Sequence, residues 1–334
     1  MNMDDRIIRF GVIGTSEITK IFLKGAKLVE KFKLAAVYSR KEETAREFAD
    51  KYGVKTIFTS LEEMAKSDEI DAVYIASPNS FHAKQAIIFM KNKKHVLCEK
   101  AFASNIKEVE EMIKVAKENN VVLMEAMRTT LTPNFKIVME NIYKLGKIRR
   151  YFSSFCKYSS RYDKYREGVV LNAFKRELSN GALMDIGVYT IYPMITLFGE
   201  PKEIKATSYM LESGVDGEGS VIFKYDEIEG TVIYSKISNS YLPTEIQGEE
   251  GTMIIDKINE VNSVKIVYKD GNIEELSTKQ EEDSMCYEID EFVNLIINNK
   301  KESNINSLEN SKIVMKIMDN VRSQIGLEFI ADKN

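Results

Sequence analysis

The chain has 334 residues, 44% of them hydrophobic, and its 47 Lys and Arg nearly balance 51 Asp and Glu. This length predicts two domains, and the formal net charge of −4 argues against a chain-wide basic surface for nucleic acid. The acidic start MNMDDR lacks the pattern of a signal peptide, we find no apolar run close to the length of a membrane span, and the three scattered cysteines have no metal-ligand spacing. We therefore expect a cytoplasmic protein that binds no metal, membrane or nucleic acid.

Short β-rich runs alternate with amphipathic runs in the first part of the chain. The predicted strands are 7–13, 32–39, 55–59, 71–77, 95–99 and 121–126. The runs between them, such as NIKEVEEMIKVAKENN, space apolar residues three and four apart, which predicts helices. This alternation is typical of a doubly wound parallel sheet covered by helices, and it predicts an α/β domain over residues 1–126.

From about residue 150 onward the pattern changes to longer alternating runs. Examples are KEIKATSYML and IEGTVIYSKI, and Gly, Asp and Asn punctuate them as in antiparallel hairpins. Two amphipathic runs near the end of the chain predict helices. Residues 127–334 therefore read as an α+β domain with a large, mostly antiparallel open sheet. Because oligomers often bury the open face of such a sheet, we expect a homodimer or a higher even homo-oligomer.

The stretch RFGVIGTSEITKIFL joins the first predicted strand to the first predicted helix. Small residues in such a turn let the backbone approach a dinucleotide pyrophosphate, which sits at the helix N-terminus. The candidate cofactor-binding residues of this turn are Gly14, Thr15, Ser16, Glu17 and Ile18. A similar turn occurs in any doubly wound protein, so the motif alone is weak evidence for dinucleotide binding. Its place in the first βα unit strengthens that evidence.

The end of the second strand bears on the choice of cofactor. An acidic residue there would bind the ribose 2′-hydroxyl of NAD, whereas this chain has Ser39, Arg40 and Lys41. Because a guanidinium and an ammonium suit a 2′-phosphate, the sequence predicts NADP as the preferred cofactor, with NAD possible. The alternative is that Arg40 and Lys41 only begin a solvated helix.

Polar residues also follow the fourth and fifth predicted strands. Ligands of an open parallel sheet bind beyond the carboxyl ends of its strands, so these residues are candidates to contact a dinucleotide. They are Ser77, Pro78, Asn79 and His82 after the fourth strand, and Glu99 and Lys100 after the fifth. For His82 a structural role is the alternative, because a histidine at the start of a helix is as often structural.

A second group of candidates lies in the segment ELSNGALMDIGVYTIYPM. If this segment is helical, Asp185 and Tyr189 share a face. A buried polar group needs a partner, and Lys100 would suit Asp185. Taken alone, Tyr189 would be read as a core tyrosine with a satisfied hydroxyl.

Four motifs in this order carry a resemblance to a known family. FGVIGTSEI, VYIASPNSFH, HVLCEKA and NGALMDIGVY are similar to signatures of the glucose-fructose oxidoreductase, inositol dehydrogenase and rhizopine-catabolism (Gfo/Idh/MocA) oxidoreductases, over essentially the whole chain. That resemblance implies a Rossmann fold for the first domain. Many members have histidine at the position of Tyr189, and tyrosine there resembles the branch with dimeric dihydrodiol dehydrogenase and xylose dehydrogenases.

The resemblance implies hydride transfer between a nicotinamide and a secondary alcohol or carbonyl of a sugar, polyol or cyclic diol. Lys100 and Tyr189 would be the catalytic pair, with Asp185 orienting substrate hydroxyls or Lys100. Oxidation of an alcohol needs a base for the hydroxyl proton, and an adjacent ammonium favours the phenolate form of a tyrosine. Arg128 and Arg176 are candidate substrate contacts, although each taken singly reads as a charged surface residue.

The chain departs from the family pattern at three places. Ala101 stands where the family has proline, Ser16 replaces a glycine, and Arg128 with Thr130 stands where the branch often has Trp then Arg. Two other functions stay open, a dinucleotide-binding sensor or co-regulator without turnover and an NAD-dependent glycosidase. The presence of both Lys100 and Tyr189 favours a dehydrogenase over a sensor, and tyrosine in place of histidine argues against the glycosidase.

Overall fold

The structure is a computed structural model, and it describes residues 6–333. Its strands are β1 (Ile8–Ile13), β2 (Phe32–Tyr38), β3 (Thr56–Phe58), β4 (Ala72–Ile75), β5 (His95–Glu99), β6 (Leu123–Ala126), β7 (Ile148–Cys156), β8 (Glu203–Met210), β9 (Asp216–Lys224), β10 (Glu229–Ser235), β11 (Thr244–Gly248), β12 (Gly251–Ile255), β13 (Val264–Tyr268) and β14 (Ile273–Glu275).

The α-helices are α1 (Glu17–Ala26), α2 (Glu42–Lys51), α3 (Leu61–Lys66), α4 (Asn79–Lys91), α5 (Ile106–Asn119), α6 (Pro133–Asn141), α7 (Ser160–Arg166), α8 (Val188–Phe198), α9 (Cys286–Ile297) and α10 (Leu308–Ile325). A π-helical turn, Leu183–Gly187, runs directly into α8. Short 3₁₀ turns begin at Arg128, Ile142, Asn172, Arg176 and Ile330.

The chain forms two compact units. Among the described residues, the first contains 6–128 together with Glu281–Glu309, and the second contains Thr129–Gln280 together with 310–333. The sequence boundary at residue 126 lies near the end of the first segment, whereas α9, which the sequence assigned to the second domain, clusters with the first unit. Close packing explains why α9 belongs to the first unit, because a Cβ on Gly25 of α1 would lie 2.8 Å from the Cys286 amide nitrogen at the start of α9.

The first unit is built on a six-stranded sheet with the order β3-β2-β1-β4-β5-β6. Every neighbouring pair in it is parallel. All residues of β4 and β6 are buried, as expected for strands covered on both faces by helices. The predicted doubly wound parallel sheet is confirmed, and each of its six strands lies within the predicted run.

The second unit is built on an eight-stranded sheet with the order β14-β13-β12-β11-β7-β10-β9-β8. Its neighbours are antiparallel except for β7 and β10, which pair in parallel. The predicted large, mostly antiparallel sheet is therefore confirmed. Large apolar side chains exposed on its strands include Tyr209, Ile222 and Ile273, and the assembly that would cover an open face stays a prediction.

The most apolar helical stretch is Arg176–Phe198 in the second unit. By length and composition it could cross a membrane, which differs from the expectation that the sequence holds no such run. In the fold, 67% of its most apolar window is buried. Packing inside the unit therefore accounts for its composition.

Candidate active site

The turn between β1 and α1 is a tight one. Gly14 has a φ of 102°, and a Cβ on it would lie 2.7 Å from the Ala76 carbonyl oxygen, so only glycine fits without strain. The buried Thr19 hydroxyl donates a 3.0 Å hydrogen bond to the Gly14 carbonyl and closes the turn from inside. Ser16 begins α1 without a side-chain capping bond, so its side chain leaves the first-turn amides open to an anion. Thr15, Glu17 and Ile18 complete the turn.

Cationic residues follow β2. Arg40 and Lys41 are exposed, Ser39 is half-buried, and its amide donates a 3.2 Å hydrogen bond to the Phe58 carbonyl. Lys41 precedes α2 and gives that helix no side-chain cap. Two exposed cations at a helix N-terminus fit the negative charge of a phosphate.

The loop after β4 is held together by His82. This histidine is buried, with Nδ1 2.9 Å from the Ala101 carbonyl oxygen and Nε2 2.8 Å from the Ser77 carbonyl oxygen. Burial lowers the pKa of His82, and the two carbonyls oppose that shift. His82 thus joins the ends of β4 and β5, and this bonding fits a positioning role.

The other candidates after β4 are also fixed by local structure. The Ser77 hydroxyl donates a 2.7 Å hydrogen bond to Gln85 Oε1, Pro78 precedes the first residue of α4, and Asn79 is buried. They form the carboxyl edge of the sheet beside the Gly14 turn, since Gly14 is packed against Ala76.

Glu99 and Lys100 differ in their surroundings although they are adjacent. Glu99 is only 6% exposed, and it accepts a 2.6 Å hydrogen bond from the Tyr74 hydroxyl and a 3.3 Å bond from the Lys100 amide. Burial raises the pKa of Glu99, while the Lys100 charge and the Tyr74 bond oppose the rise. Lys100 is half-buried, and its peptide bond to Ala101 is cis. Glu99 is thus held in place by hydrogen bonds next to Lys100, at the carboxyl edge of the sheet, where ligands of open parallel sheets bind.

Sequence reasoning missed a buried acid in the same unit. Glu288 of α9 is fully buried, and neither of its carboxylate oxygens has a hydrogen-bond partner among residues 6–333. Burial and the nearby Glu99 raise its pKa well above the ordinary value, and the Arg128 charge opposes this. The signal was available, because Glu288 stands four residues before Phe292 on the apolar face of the helix.

The second unit presents Asp185 and Tyr189 on one helical stretch. Asp185 lies in the π-helical turn and Tyr189 in the first turn of α8, and both are half-buried. The sequence allowed for a helix here, and it gave no sign of the π-turn, a feature often found at functional sites. The Tyr189 ring packs edge-on against Phe155, with ring centroids 5.6 Å apart.

Asp185 has a partner that sequence reasoning missed. Its Oδ2 accepts a hydrogen bond from the Lys236 ammonium, and the Lys236 side chain is only 4% exposed. The sequence suggests Lys100 as a further partner of Asp185, and that suggestion stays a prediction. The available signal was the strand alternation, which puts Lys236 in line with the buried Val232 and Tyr234.

Asp216 supports the start of this helical stretch. It is fully buried, and its Oδ2 accepts a 2.7 Å hydrogen bond from the Leu183 amide. A Cβ on Gly181 would lie 2.1 Å from Asp216 Oδ1, so glycine is required there. Burial raises the pKa of Asp216 to about 6, against the backbone hydrogen bonds and the Lys236 charge.

The candidate substrate-binding arginines are dispersed. Arg128 is half-buried in the first unit, where its charge acts on Glu99 and Glu288. Arg176 is exposed in the second unit, in a short 3₁₀ turn ahead of the Asp185 segment. Among residues 6–333 no group of three or more His, Cys, Asp or Glu could hold a metal ion.

Comparisons with known proteins identify similar sequences and a similar fold. A relative that is 55% identical over 327 residues, covering 98% of this chain and 100% of its own, is scyllo-inositol 2-dehydrogenase (NADP(+)) IolU of Bacillus subtilis (strain 168). Another, 29% identical over 97% of this chain and 99% of its own, is trans-1,2-dihydrobenzene-1,2-diol dehydrogenase of Danio rerio. A solved 3-ketoreductase, KijD10 of Actinomadura kijaniata in complex with NADP and TDP-benzene, superimposes with a TM-score of 0.85 at 22% identity, covering 96% of this chain and 98% of its own.

Two family descriptions match consecutive parts of the chain. Residues 8–127 match the oxidoreductase family with an NAD-binding Rossmann fold, and residues 143–254 match the GFO/IDH/MocA C-terminal domain. Together they span more than half of the chain, and the resemblance seen in the four sequence motifs is confirmed. This protein is therefore an oxidoreductase and belongs to the Gfo/Idh/MocA family.

Proposed function

We propose that this protein is an NADP-dependent dehydrogenase of cyclic polyols, with an inositol as the substrate class and Tyr189 and Lys100 as the catalytic residues. The observation that carries the proposal is the 55% identity to a scyllo-inositol 2-dehydrogenase (NADP(+)) across the full length of both chains. The diol dehydrogenase relative supports the same chemistry, oxidation of a ring carbon that bears a hydroxyl.

The first unit has residues that fit a dinucleotide. The Gly14 turn and the uncapped start of α1 would receive the pyrophosphate. Arg40 and Lys41 would bind the 2′-phosphate that distinguishes NADP from NAD. Both are exposed, and they stand where an NAD-binding domain would have an acidic residue. The nicotinamide cofactor, when bound, supplies the hydride acceptor or donor of the reaction. NAD binds more weakly in this account.

The proton chemistry falls to the protein. Tyr189 takes the proton of the reacting hydroxyl during oxidation and returns it during reduction. The Lys100 ammonium stabilises the negative charge that develops on oxygen. Asp185 accepts a hydrogen bond from a second substrate hydroxyl, for which its half-buried carboxylate is suited. The bracing of Lys100 by Glu99, and the position of Asp185 four residues before Tyr189, support these roles.

The remaining assignments belong to the same proposal. Arg176 is a candidate to contact the substrate rim because it is exposed ahead of the Asp185 segment, and Arg128 is a second candidate. The exposed apolar side chains of the second sheet support a homodimer or a higher even homo-oligomer. A cytoplasmic location suits a family of metabolic dehydrogenases.

The test begins with fluorescence titration of the purified protein with NADPH and NADH. The same samples then receive NADP and a panel containing scyllo-inositol, other inositols, aldoses and a cyclic diol. We expect NADPH to bind more tightly than NADH and NADP to be reduced with at least one inositol. Tight binding without turnover of any inositol, while aldoses or the diol react, would replace the substrate class. Absence of NADPH binding would refute the proposal.

A further inference from the structure

The second unit contains a buried ammonium that the proposed reaction does not yet use. Lys236 follows β10 and is only 3% exposed as a residue. Its backbone is held on both sides by hydrogen bonds. The Lys236 amide donates a 2.9 Å hydrogen bond to the Gly217 carbonyl, and the Lys236 carbonyl accepts a 2.9 Å hydrogen bond from the Ser159 amide. The side chain therefore starts from a rigid point, and its direction is set by the fold.

The groups around Lys236 come from several elements. Asp185 of the π-helical turn accepts a hydrogen bond from the ammonium, and the Lys236 charge opposes the rise that burial causes in the pKa of Asp216 on β9. The Phe174 ring lies beneath the ammonium, 5.4 Å from its centroid. Tyr234 on β10 is buried near Asp216, and Glu218 of β9 is engaged by the hydroxyls of Ser235 and Ser238. Two carboxylates and an aromatic face thus retain the ammonium despite its burial.

The two carboxylates differ in access. Asp216 is fully buried and bonded to the backbone at the start of the helical stretch, whereas the Asp185 side chain is 32% exposed. Asp185 is therefore the member of the cluster that a ligand can reach. A buried lysine that donates a hydrogen bond to one oxygen of a half-exposed carboxylate fixes the orientation of that carboxylate and favours the ionised form of the carboxylate.

We propose that Lys236 is a positioning residue. It holds Asp185 ionised and oriented to accept a hydrogen bond from the substrate hydroxyl next to the reacting carbon. The enzyme then prefers substrates with two adjacent hydroxyls on the ring. This inference rests on the proposed polyol dehydrogenase function and adds to it a source of specificity. Lys236 acts through Asp185 and does not itself touch the substrate.

The preference has a simple origin. A carboxylate that accepts a hydrogen bond from a hydroxyl forms a charge-assisted hydrogen bond. An analogue that lacks the hydroxyl leaves the carboxylate without this bond. Loss of such a bond lowers kcat/KM by roughly 10- to 100-fold. Without the Lys236 ammonium, Asp185 loses a charge-assisted hydrogen bond and becomes easier to protonate, so the preference for a diol should shrink and should depend more on pH.

The experiment compares wild type with Lys236→Met and Lys236→Arg. The substrates are the inositol that wild type oxidises and its analogue deoxygenated next to the reacting carbon. The quantities measured are kcat and KM for each substrate from pH 5 to 9, and NADPH affinity. Lys224→Met is the matched control, because Lys224 is an exposed lysine of the same sheet that pairs with Glu203.

For Lys236→Met we expect unchanged NADPH affinity, a loss of roughly 10- to 100-fold in kcat/KM for the inositol, and little change for the deoxy analogue. The acid limb of its pH profile should move to higher pH, because removal of the positive charge disfavours the ionised carboxylate. Lys236→Arg should recover most of the inositol activity, and Lys224→Met should match wild type.

A folded Lys236→Met variant with the wild-type ratio between the two substrates and the wild-type acid limb would overturn the inference. If that variant does not fold, Asp185→Asn decides, since it must abolish the preference for the inositol, and an unchanged preference contradicts the role given to Asp185. A wild-type protein that oxidises no inositol refutes the proposed function instead, so the two failures are distinguishable.

Discussion

The Tyr74 hydroxyl donates a 2.6 Å hydrogen bond to Oε1 of Glu99, and both residues are buried in the first unit. The same tyrosine stacks on Phe22, with ring centroids 3.6 Å apart. The ring thus belongs to the core, while its hydroxyl satisfies a carboxylate next to Lys100. Glu99 is thereby kept beside the lysine without access to solvent.

Tyr74→Phe keeps the ring and removes only the donor. Because a buried acceptor is left without its partner, we expect the free energy of unfolding to fall by about 1 to 3 kcal/mol in urea denaturation. Tyr52→Phe is the matched control, since Tyr52 is a half-buried tyrosine at the end of α2. Equal stability of the two variants would show that the Tyr74 bond contributes nothing.

Glu288 gives a prediction about pH. Burial raises its pKa well above the ordinary 4.5, so its contribution to stability is fully present below about that pH and is lost as the pH rises toward the folded-state value. Glu288→Gln carries no charge at any pH. We therefore expect its free energy of unfolding, relative to wild type, to increase between pH 5 and 9.

The control for this comparison is Glu118→Gln, an exposed glutamate of α5. It shows how removal of an exposed carboxylate by itself changes the free energy of unfolding over the same pH range. A flat difference for Glu288→Gln would mean that Glu288 does not ionise differently in the folded and unfolded states.

Asp216 makes a similar prediction in a narrower window. Its pKa is raised by burial from the ordinary 3.8 to about 6, so its contribution is fully present below about pH 4 and is lost as the pH rises through 6. Asp216→Asn keeps an acceptor for the Leu183 amide. The stability of this variant relative to wild type should rise by about 2 to 3 kcal/mol between pH 4 and 7. A difference independent of pH would contradict the raised pKa.

The cofactor assignment is tested at Arg40. Arg40→Ala should weaken NADPH binding by roughly 10- to 100-fold, because a charge-assisted hydrogen bond to the 2′-phosphate is lost, and it should leave NADH binding unchanged. Arg46→Ala is the control, since Arg46 is an exposed arginine of the neighbouring helix α2. An equal loss for both cofactors would remove the 2′-phosphate from the role of Arg40.

The first sheet was predictable strand by strand. β4 and β6 are buried on both faces, so β4 reads as an uninterrupted apolar run, and Glu125 alone interrupts the run of β6. β7 was missed because IRRYFSSFC mixes charged, aromatic and small residues, and its parallel pairing with β10 joins segments far apart in sequence. The amphipathic pattern of α9 predicted a helix with a buried face, but such a pattern does not say which unit covers that face.

The candidate site was predictable to a different degree. Lys100 and Tyr189 were indicated by motifs, because a strand end or a helical segment that carries reactive side chains is local in sequence. The pairing of Asp185 with Lys236 was not, since the two residues are 51 positions apart and only the fold brings them together. The burial of Glu288 could be read from its place on the apolar face of α9, whereas its nearness to Glu99 could not.

The central claim is that Tyr189 performs the proton transfer of polyol oxidation. The most direct measurement is kcat for NADP reduction by scyllo-inositol, at saturating concentrations, in Tyr189→Phe and in Tyr192→Phe. Tyr192 lies one turn along the same helix with its hydroxyl 3.3 Å from the Ser311 hydroxyl, so its variant controls for the loss of a helix tyrosine hydroxyl. We predict a loss of roughly 100-fold or more for Tyr189→Phe with NADPH binding retained, and near wild-type kcat for Tyr192→Phe. A Tyr189→Phe variant that oxidises scyllo-inositol at the wild-type rate would contradict the account.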